Sequence, residues 1–478
     1  DMQGQVILPG LTDAHIHLQY YAFNLQSINC ETQTRGECLR RVAERAQKTP
    51  PGTWLIGHGW NHNYWPEGIG NRIELDQIAP DRPVYLTAKS LHASWANSKA
   101  LELAGISTST ADPDGGSIQR DSTGQPTGIL LESAMELVQA AIPTPTPTQI
   151  SAAIEQAQKA LWAMGITGVH DFDQIPCFVA LQMLNELGKL RLRVVKGIPR
   201  DHLADAAGLG LRTGFGGDYL RIGSVKLFAD GALGPQTAAM LQPYEGSPDS
   251  TGMLQLDEEE IFEIGQQAVR SGLSLAIHAI GDRANHEVLN AFAQLRAYEN
   301  EKHLGHPRHR IEHVQLLHPN DIDRLVALNV IASMQPIHAI SDMQMADRHW
   351  GSRAALSYAW NSVLRQKTSL AFGSDAPVEI PNPFWGLYAA ITRRSLTADP
   401  GSPSWYPEQC ISLEEALAAY TRGAAYAAGI ENHVGQLTPG YYADLIVLEN
   451  DPFENPPEAL IHTHPIKTMV GGEWVWKG

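Results

Sequence analysis

The stretch Ile7-Leu8-Pro9-Gly10-Leu11-Thr12-Asp13-Ala14-His15-Ile16-His17 decides the fold. It is apolar and strand-like, and it ends in two histidines spaced i, i+2. Side chains of a strand alternate faces, so both imidazoles point the same way and can grip one metal ion. His-x-His alone fits two solvated histidines beside a turn equally well. The reading turns on whether other strand ends provide the remaining ligands.

Downstream, apolar β-rich runs alternate with helical patterns. After the first run, candidate strands fall at 165–172, 190–198, 220–229, 273–280, 310–314, 330–335 and 370–374. Helical patterns cover 151–164, 258–271 and 286–298. Strands and helices alternating at this spacing predict βαβ units and a parallel sheet. Eight such units predict an α/β fold of the (β/α)8 TIM-barrel type. Two regions break the rhythm. Residues 49–143 are rich in Gly, Pro, Trp and Asn and read as an inserted small α/β segment, lid-like, closed by the linker Pro143-Thr144-Pro145-Thr146-Pro147-Thr148. Short β runs at 443–448, 466–470 and 473–476 cannot bury a core alone and are expected to form a sheet with the N-terminal residues. The expected domains are therefore a barrel over 11–48 and 144–429, the insertion over 49–143, and a β-sandwich remnant from 1–10 and 430–478.

The 478 residues suffice for one large domain with smaller additions. No run of about 18 apolar residues occurs, so no membrane partner is expected. A formal net charge of -17 argues against a nucleic-acid surface. Cys30, Cys38, Cys177 and Cys410 are scattered without a Cys-x-x-Cys pair. That speaks for a reducing compartment and a cytoplasmic location. The chain opens at Asp1-Met2 straight into a strand-like run, with no signal peptide visible and room for residues upstream.

The strand ends carry the chemistry. Lys226 lies within an apolar strand, where an unpaired ammonium is costly. Either it pairs with a carboxylate such as Asp230, or its pKa is depressed and it reacts with carbon dioxide to give a carbamate that bridges two metals. His278 and His313 each follow apolar residues at the end where barrel active sites form. One such histidine alone reads as a satisfied core residue; two on consecutive strands, added to His15 and His17, read as ligands. Asp375 precedes Ala376-Pro377 and is either a turn or cap residue or a ligand that also takes a proton from bound water. Imidazoles and carboxylates are zinc-type donors, although manganese and iron accept similar shells. A metal ion lowers the pKa of bound water from about 15.7 to near 7 and polarises a carbonyl. His15, His17, Lys226, His278, His313 and Asp375 therefore predict metal-assisted hydrolysis.

These segments resemble the amidohydrolase superfamily over nearly the whole chain, and most of all amidohydrolase family 3, which includes N-substituted formamide deformylases. The resemblance is carried by Leu8-Pro9-Gly10-Leu11-Thr12-Asp13-Ala14-His15-Ile16-His17-Leu18, His92-Ala93-Ser94-Trp95-Ala96-Asn97-Ser98, Lys226-Leu227-Phe228-Ala229-Asp230-Gly231-Ala232-Leu233-Gly234, His278-Ala279-Ile280-Gly281-Asp282, Gly373-Ser374-Asp375-Ala376-Pro377-Val378 and the tail from Gly435 to Leu445. It implies a composite β-sandwich built from both termini and a centre of two divalent ions. In that centre carboxylated Lys226 is the bridge, His15, His17 and Asp375 hold the more buried ion, and His278 and His313 hold the more exposed one. It also implies that Asp375 is the general base and later protonates the leaving amine, and that His92 faces the pocket as a catalytic or substrate-binding residue. Two departures stand out. The N-terminal half of the sandwich is largely absent, and Gly234-Pro235-Gln236-Thr237 replaces the family's Gly-Ser-Arg-Thr.

Substrate contacts are expected from His92, Trp60 and Trp95 in the insertion, although these aromatics fit a small core of the insertion equally well. Asp230, Gln335 and Arg348 lie on or after barrel strands; Arg348 either binds a carboxylate or pairs with Asp347, and the salt bridge is favoured. The leading expectation is hydrolysis of an amide or formamide-type C–N bond of a small molecule by metal-bound hydroxide. Related barrels that cleave esters or cyclic amides or deaminate heterocycles are the alternative, and an inactive scaffold, which should lack ligands, is the remote one. A homodimer is an open possibility.

Overall fold

The computed structural model describes residues 4–62, 65–90 and 92–478. Along the chain, β1 (Val6–Pro9) and β2 (Leu11–Ile16) come first. Six strands follow: β3 (Ile28–Asn29), β4 (Leu55–Trp60), β5 (Val84–Ala88), β6 (Ala93–Ala96), β7 (Gly116–Arg120) and β8 (Pro126–Glu132). Then come β9 (Ile166–Asp171), β10 (Arg193–Pro199), β11 (Leu220–Phe228), β12 (Leu275–Ala279), β13 (Arg310–His313), β14 (Ile331–Met334) and β15 (Leu370–Phe372). The last three are β16 (Leu445–Leu448), β17 (Lys467–Val470) and β18 (Glu473–Lys477).

An eight-stranded parallel sheet runs β15-β14-β13-β12-β11-β10-β9-β2. Its two edges meet beyond the strand ends. The Asp375 N–H donates to His15 O at 2.7 Å, and the His17 N–H donates to Ala376 O at 2.8 Å. The buried Asp13 carboxylate accepts the Ser374 N–H at 3.0 Å and the Ser374 hydroxyl at 2.5 Å. Gly373 permits this closure, because a Cβ there would stand 2.5 Å from His15 N. The sheet is the (β/α)8 barrel that the strand spacing predicts. Alternation explains which side chains enter it: Val225, Leu227, Ile277 and Ile311 pack outward in the apolar core between sheet and helices, while Lys226, Arg310 and Glu312 occupy the opposite face.

The termini make a separate four-stranded antiparallel sheet, β1-β16-β17-β18. Gly10 lets the chain step from this sheet into the barrel: a Cβ there would lie 2.3 Å from Thr167 Oγ1. This sheet stays within one compact unit with the barrel, spanning Asp1–Ala22 and Pro147–Gly478.

Phe23–Thr146 is the second unit. It begins earlier than residue 49, the expected start. The helix Arg35–Lys48, which the sequence reading gave to the barrel, buries Cys38, Val42 and Ala46 in the insertion's own core. Residues spaced i, i+4, i+8 form one helical stripe, and that stripe has its partner here. The unit's sheet runs β3-β4-β5-β6-β8-β7, with β3, β4 and β5 parallel and the other pairings antiparallel.

Candidate metal centre

His15, His17, Lys226, His278, His313 and Asp375 meet at the carboxyl ends of the barrel strands. His15 and His17 share one face of β2 and its continuation, as their spacing predicts. The Nε2 atoms of both lie 3.4 Å from Asp375 Oδ1. The rings of His15 and His313 are 4.8 Å apart between centroids, and those of His278 and His313 are 4.6 Å apart. Lys226 Nζ sits 4.8 Å from the centroid of the Phe172 ring, which itself packs 4.6 Å from His15.

Each imidazole is held through one nitrogen, and the Nε2 atoms of His15 and His17 are turned toward Asp375. His15 Nδ1 contacts Glu312 Oε2 at 2.6 Å, and His17 Nδ1 contacts Asp173 Oδ1 at 3.2 Å. His278 Nε2 contacts Gly231 O at 2.8 Å, and His313 Nδ1 contacts Gln335 Oε1 at 2.8 Å. Metal-ligating histidines are oriented in this way, because the second hydrogen bond fixes both tautomer and ring plane.

Two of the six break strand geometry. By alternation His313 would leave the barrel with Ile311. Its φ of 75°, followed by 46° at Val314, turns the chain so that the imidazole returns to the centre. Asp375 has φ 60°. Left-handed backbone at non-glycine residues costs about 1–3 kcal/mol each and clusters at functional sites.

The electrostatics match this donor set. Burial pushes the Lys226 ammonium pKa down to about 8, against the pull of Glu312 and Asp375. Burial raises the Asp375 carboxyl, but its electrostatic interactions with the surrounding histidines and the bond to His17 outweigh it and hold it well below the carboxylate range. Burial lowers His278 to about 3, helped by Lys226, and lowers His15 to about 4. His15 and His278 are thus neutral lone-pair donors, whereas His17, against burial, is raised to about 9 by its bonds to Asp173 and Asp375. Lys226 Nζ is buried and has no hydrogen-bond partner; the rings of Phe172 and Phe228 face it at 4.8 and 5.0 Å. Ligand atoms of His15, His17 and Asp375 lie within 4.8 Å of one another, as do those of His313, His338 and Asp375. The residues fit divalent metal.

The other expected site residues have these surroundings. Asp230 does not pair with Lys226: its carboxylate accepts N–H groups of Ala239, Ile280 and Gly281 at 2.8, 3.0 and 2.8 Å and ties loops together. Gln335 orients His313. Trp60 and Trp95 are buried in the insertion's core with Trp65, and Trp60 Nε1 donates to Leu86 O at 2.8 Å, as the core alternative expects. Asn63 and Tyr64 of that aromatic run lie outside the described residues. His92 is 71% exposed within its unit, with Nδ1 3.0 Å from Glu132 Oε2. Arg348 is exposed and forms no salt bridge with Asp347, whose Oδ1 accepts from Trp405 Nε1 at 2.9 Å. Neighbours i, i+1 on a helix do not face each other. Gln236 lies 3.2 Å from His349 Nδ1 through its Nε2. Sequence reasoning missed Glu312, Asp173 and His338. For Glu312 the signal was its adjacency to His313 in Arg310-Ile311-Glu312-His313.

Barrel and donor set define a metal-dependent hydrolase of the barrel type. The chain belongs to the amidohydrolase family, whose sequence model matches residues 1–476. It is 33% identical over 489 residues to the putative amidohydrolase YtcJ of Bacillus subtilis (strain 168), covering 100% of this chain and 90% of that one. It is 28% identical over 489 residues to the N-substituted formamide deformylase of Arthrobacter pascens, covering 99% and 88%. An uncharacterized metal-dependent hydrolase from Pyrococcus furiosus shares the fold with a TM-score of 0.77 and 31% identity, covering 95% of this chain and 89% of that one.

Proposed function

We propose that this chain hydrolyses a non-peptide C–N bond of amide or formamide type in a small molecule, with two divalent ions. The observation that carries the proposal is the partnerless buried Nζ of Lys226 among four imidazoles and a carboxylate. With its pKa lowered to about 8, part of the amine is neutral near neutral pH. A neutral amine adds to carbon dioxide, forming an N–C bond and releasing one proton. The resulting carbamate shares one negative charge between two oxygens, and two oxygens would suffice to serve two ions at once. His15, His17 and Asp375 would hold one ion, and His278 and His313 the other. Zinc suits these donors, and manganese and iron take similar shells. Bound divalent ions supply Lewis acidity and lower the pKa of water.

Asp375 is the base in this reading. Its ionised carboxylate accepts a proton from the attacking water and passes it to the nitrogen of the scissile bond, so that a neutral amine departs. Its left-handed backbone aims the carboxylate between His15 and His17. Likeness to a formamide deformylase supports the C–N class over ester cleavage. The test is amine release from a panel of N-formyl and N-acyl amines by protein loaded with zinc in bicarbonate. No turnover across the panel, with the ions shown to be bound, sinks the proposal.

A further inference from the structure

One more imidazole faces this centre. His338 is the third residue of the helix Pro336–Trp350, which begins two residues beyond β14, the seventh barrel strand. Pro336 at the first helical position starts the helix at once, which keeps His338 close to the barrel mouth. The side chain is buried, 6% exposed, and its Nε2 has no hydrogen-bond partner. Its ring lies 6.3 Å from that of His313 between centroids, with 13° between the planes. Ligand atoms of His313, His338 and Asp375 fall within 4.8 Å of one another.

A buried polar atom without a partner costs free energy until one arrives. Lys226 Nζ, Gln335 Nε2 and His338 Nε2 are among the buried atoms without such a partner. Gln335 already spends its oxygen on His313, and Lys226 has the carbamate chemistry above. Of the imidazoles whose donor atoms cluster with Asp375, His338 is the one with a buried nitrogen left without a hydrogen-bond partner. We infer that His338 supplies a further nitrogen ligand to the ion held by His313, so that strand seven joins strands one, four, five, six and eight in building the centre. The inference rests on the two-ion reading proposed above.

The test is metal binding rather than turnover. The full chain, His338→Gln and His338→Asp are titrated in bicarbonate with zinc against a chromophoric chelator, and the visible spectra of their cobalt forms are recorded. The expected result is two ions in the unaltered chain, a loss of at least about tenfold in affinity for the weaker ion in His338→Gln, a changed cobalt spectrum, and partial recovery of affinity in His338→Asp. If the unaltered chain binds no ion, the two-ion reading falls and takes this inference with it. If it binds two ions and His338→Gln keeps both affinities and the cobalt spectrum, the inference alone is overturned, including where KM rises and His338 is shown to contact substrate. Should His338→Gln fail to fold by circular dichroism, His338→Asp decides: an unchanged cobalt spectrum there is incompatible with exchange of a nitrogen ligand for oxygen.

Discussion

His15 Nδ1 and Glu312 Oε2 are 2.6 Å apart, and both side chains are buried. Glu312 also accepts from Arg310 Nη2 at 3.1 Å. Burial raises the Glu312 carboxyl, but Arg310 and His15 outweigh it and keep it ionised. The carboxylate thus fixes the proton on Nδ1 of His15 and leaves Nε2 for metal. Glu312→Gln should weaken metal binding by about 10–100-fold, because partners of ligating histidines contribute on that scale. Chelator competition measures it, and wild-type affinity would show that the bond is only structural.

Lys226→Ala removes the amine that the bridge requires. Metal content by elemental analysis should fall, and turnover of an N-formyl amine with it. Short carboxylic acids should restore part of the activity, since they can occupy the vacated volume and offer two oxygens. Full metal content in the variant would exclude a bridging role.

Asp375→Asn keeps the shape of the residue and removes the base. Circular dichroism should be unchanged while kcat drops by at least about 10²–10⁴-fold. A near-wild-type rate would assign the proton transfers to another group.

Metal affinity should rise with pH. Burial alone would lower the His17 pKa, but its bonds to Asp173 and Asp375 raise it to about 9. Without metal, the charged form therefore stabilises the fold; that contribution is complete below the ordinary histidine value of about 6.5 and is lost as pH rises through 9. Metal needs the neutral ring, so binding displaces this proton, and affinity should climb between about pH 6.5 and 9. Lys226, lowered to about 8, acts in the same direction, because only its neutral amine takes up carbon dioxide. Competition titrations across this range check the slope; a flat profile contradicts it.

Arg193 and Asp444 tie the barrel to the terminal sheet. Arg193 Nε and Nη2 donate to the two Asp444 oxygens at 2.5 and 2.8 Å, and Tyr442 covers the guanidinium at 4.3 Å. Breaking a buried pair strands the other charge, so Arg193→Ala should cost about 3–5 kcal/mol. Urea denaturation reads this directly, and a change under about 1 kcal/mol would place the pair among weakly coupled surface bridges.

The barrel was legible from residue order alone, because strand and helix periodicities are local properties of residues a few positions apart. Local pattern also singled out candidate donors, since His15 and His17 follow from alternation and Lys226, His278 and Asp375 lie in or just after apolar strands. Tertiary structure decided what depends on contacts between distant segments. Trp60 and Trp95 read as pocket or core until the sheet of the inserted unit enclosed them. Asp230 seemed a partner for Lys226 until folding brought three backbone N–H groups to its carboxylate. Glu312, Asp173 and His338 acquired their places only when closure set Glu312 against His15, Asp173 against His17, and the ring of His338 beside His313. Even His313 needed the fold: alternation points its imidazole out of the barrel, and only the left-handed turn at the end of β13 brings it in.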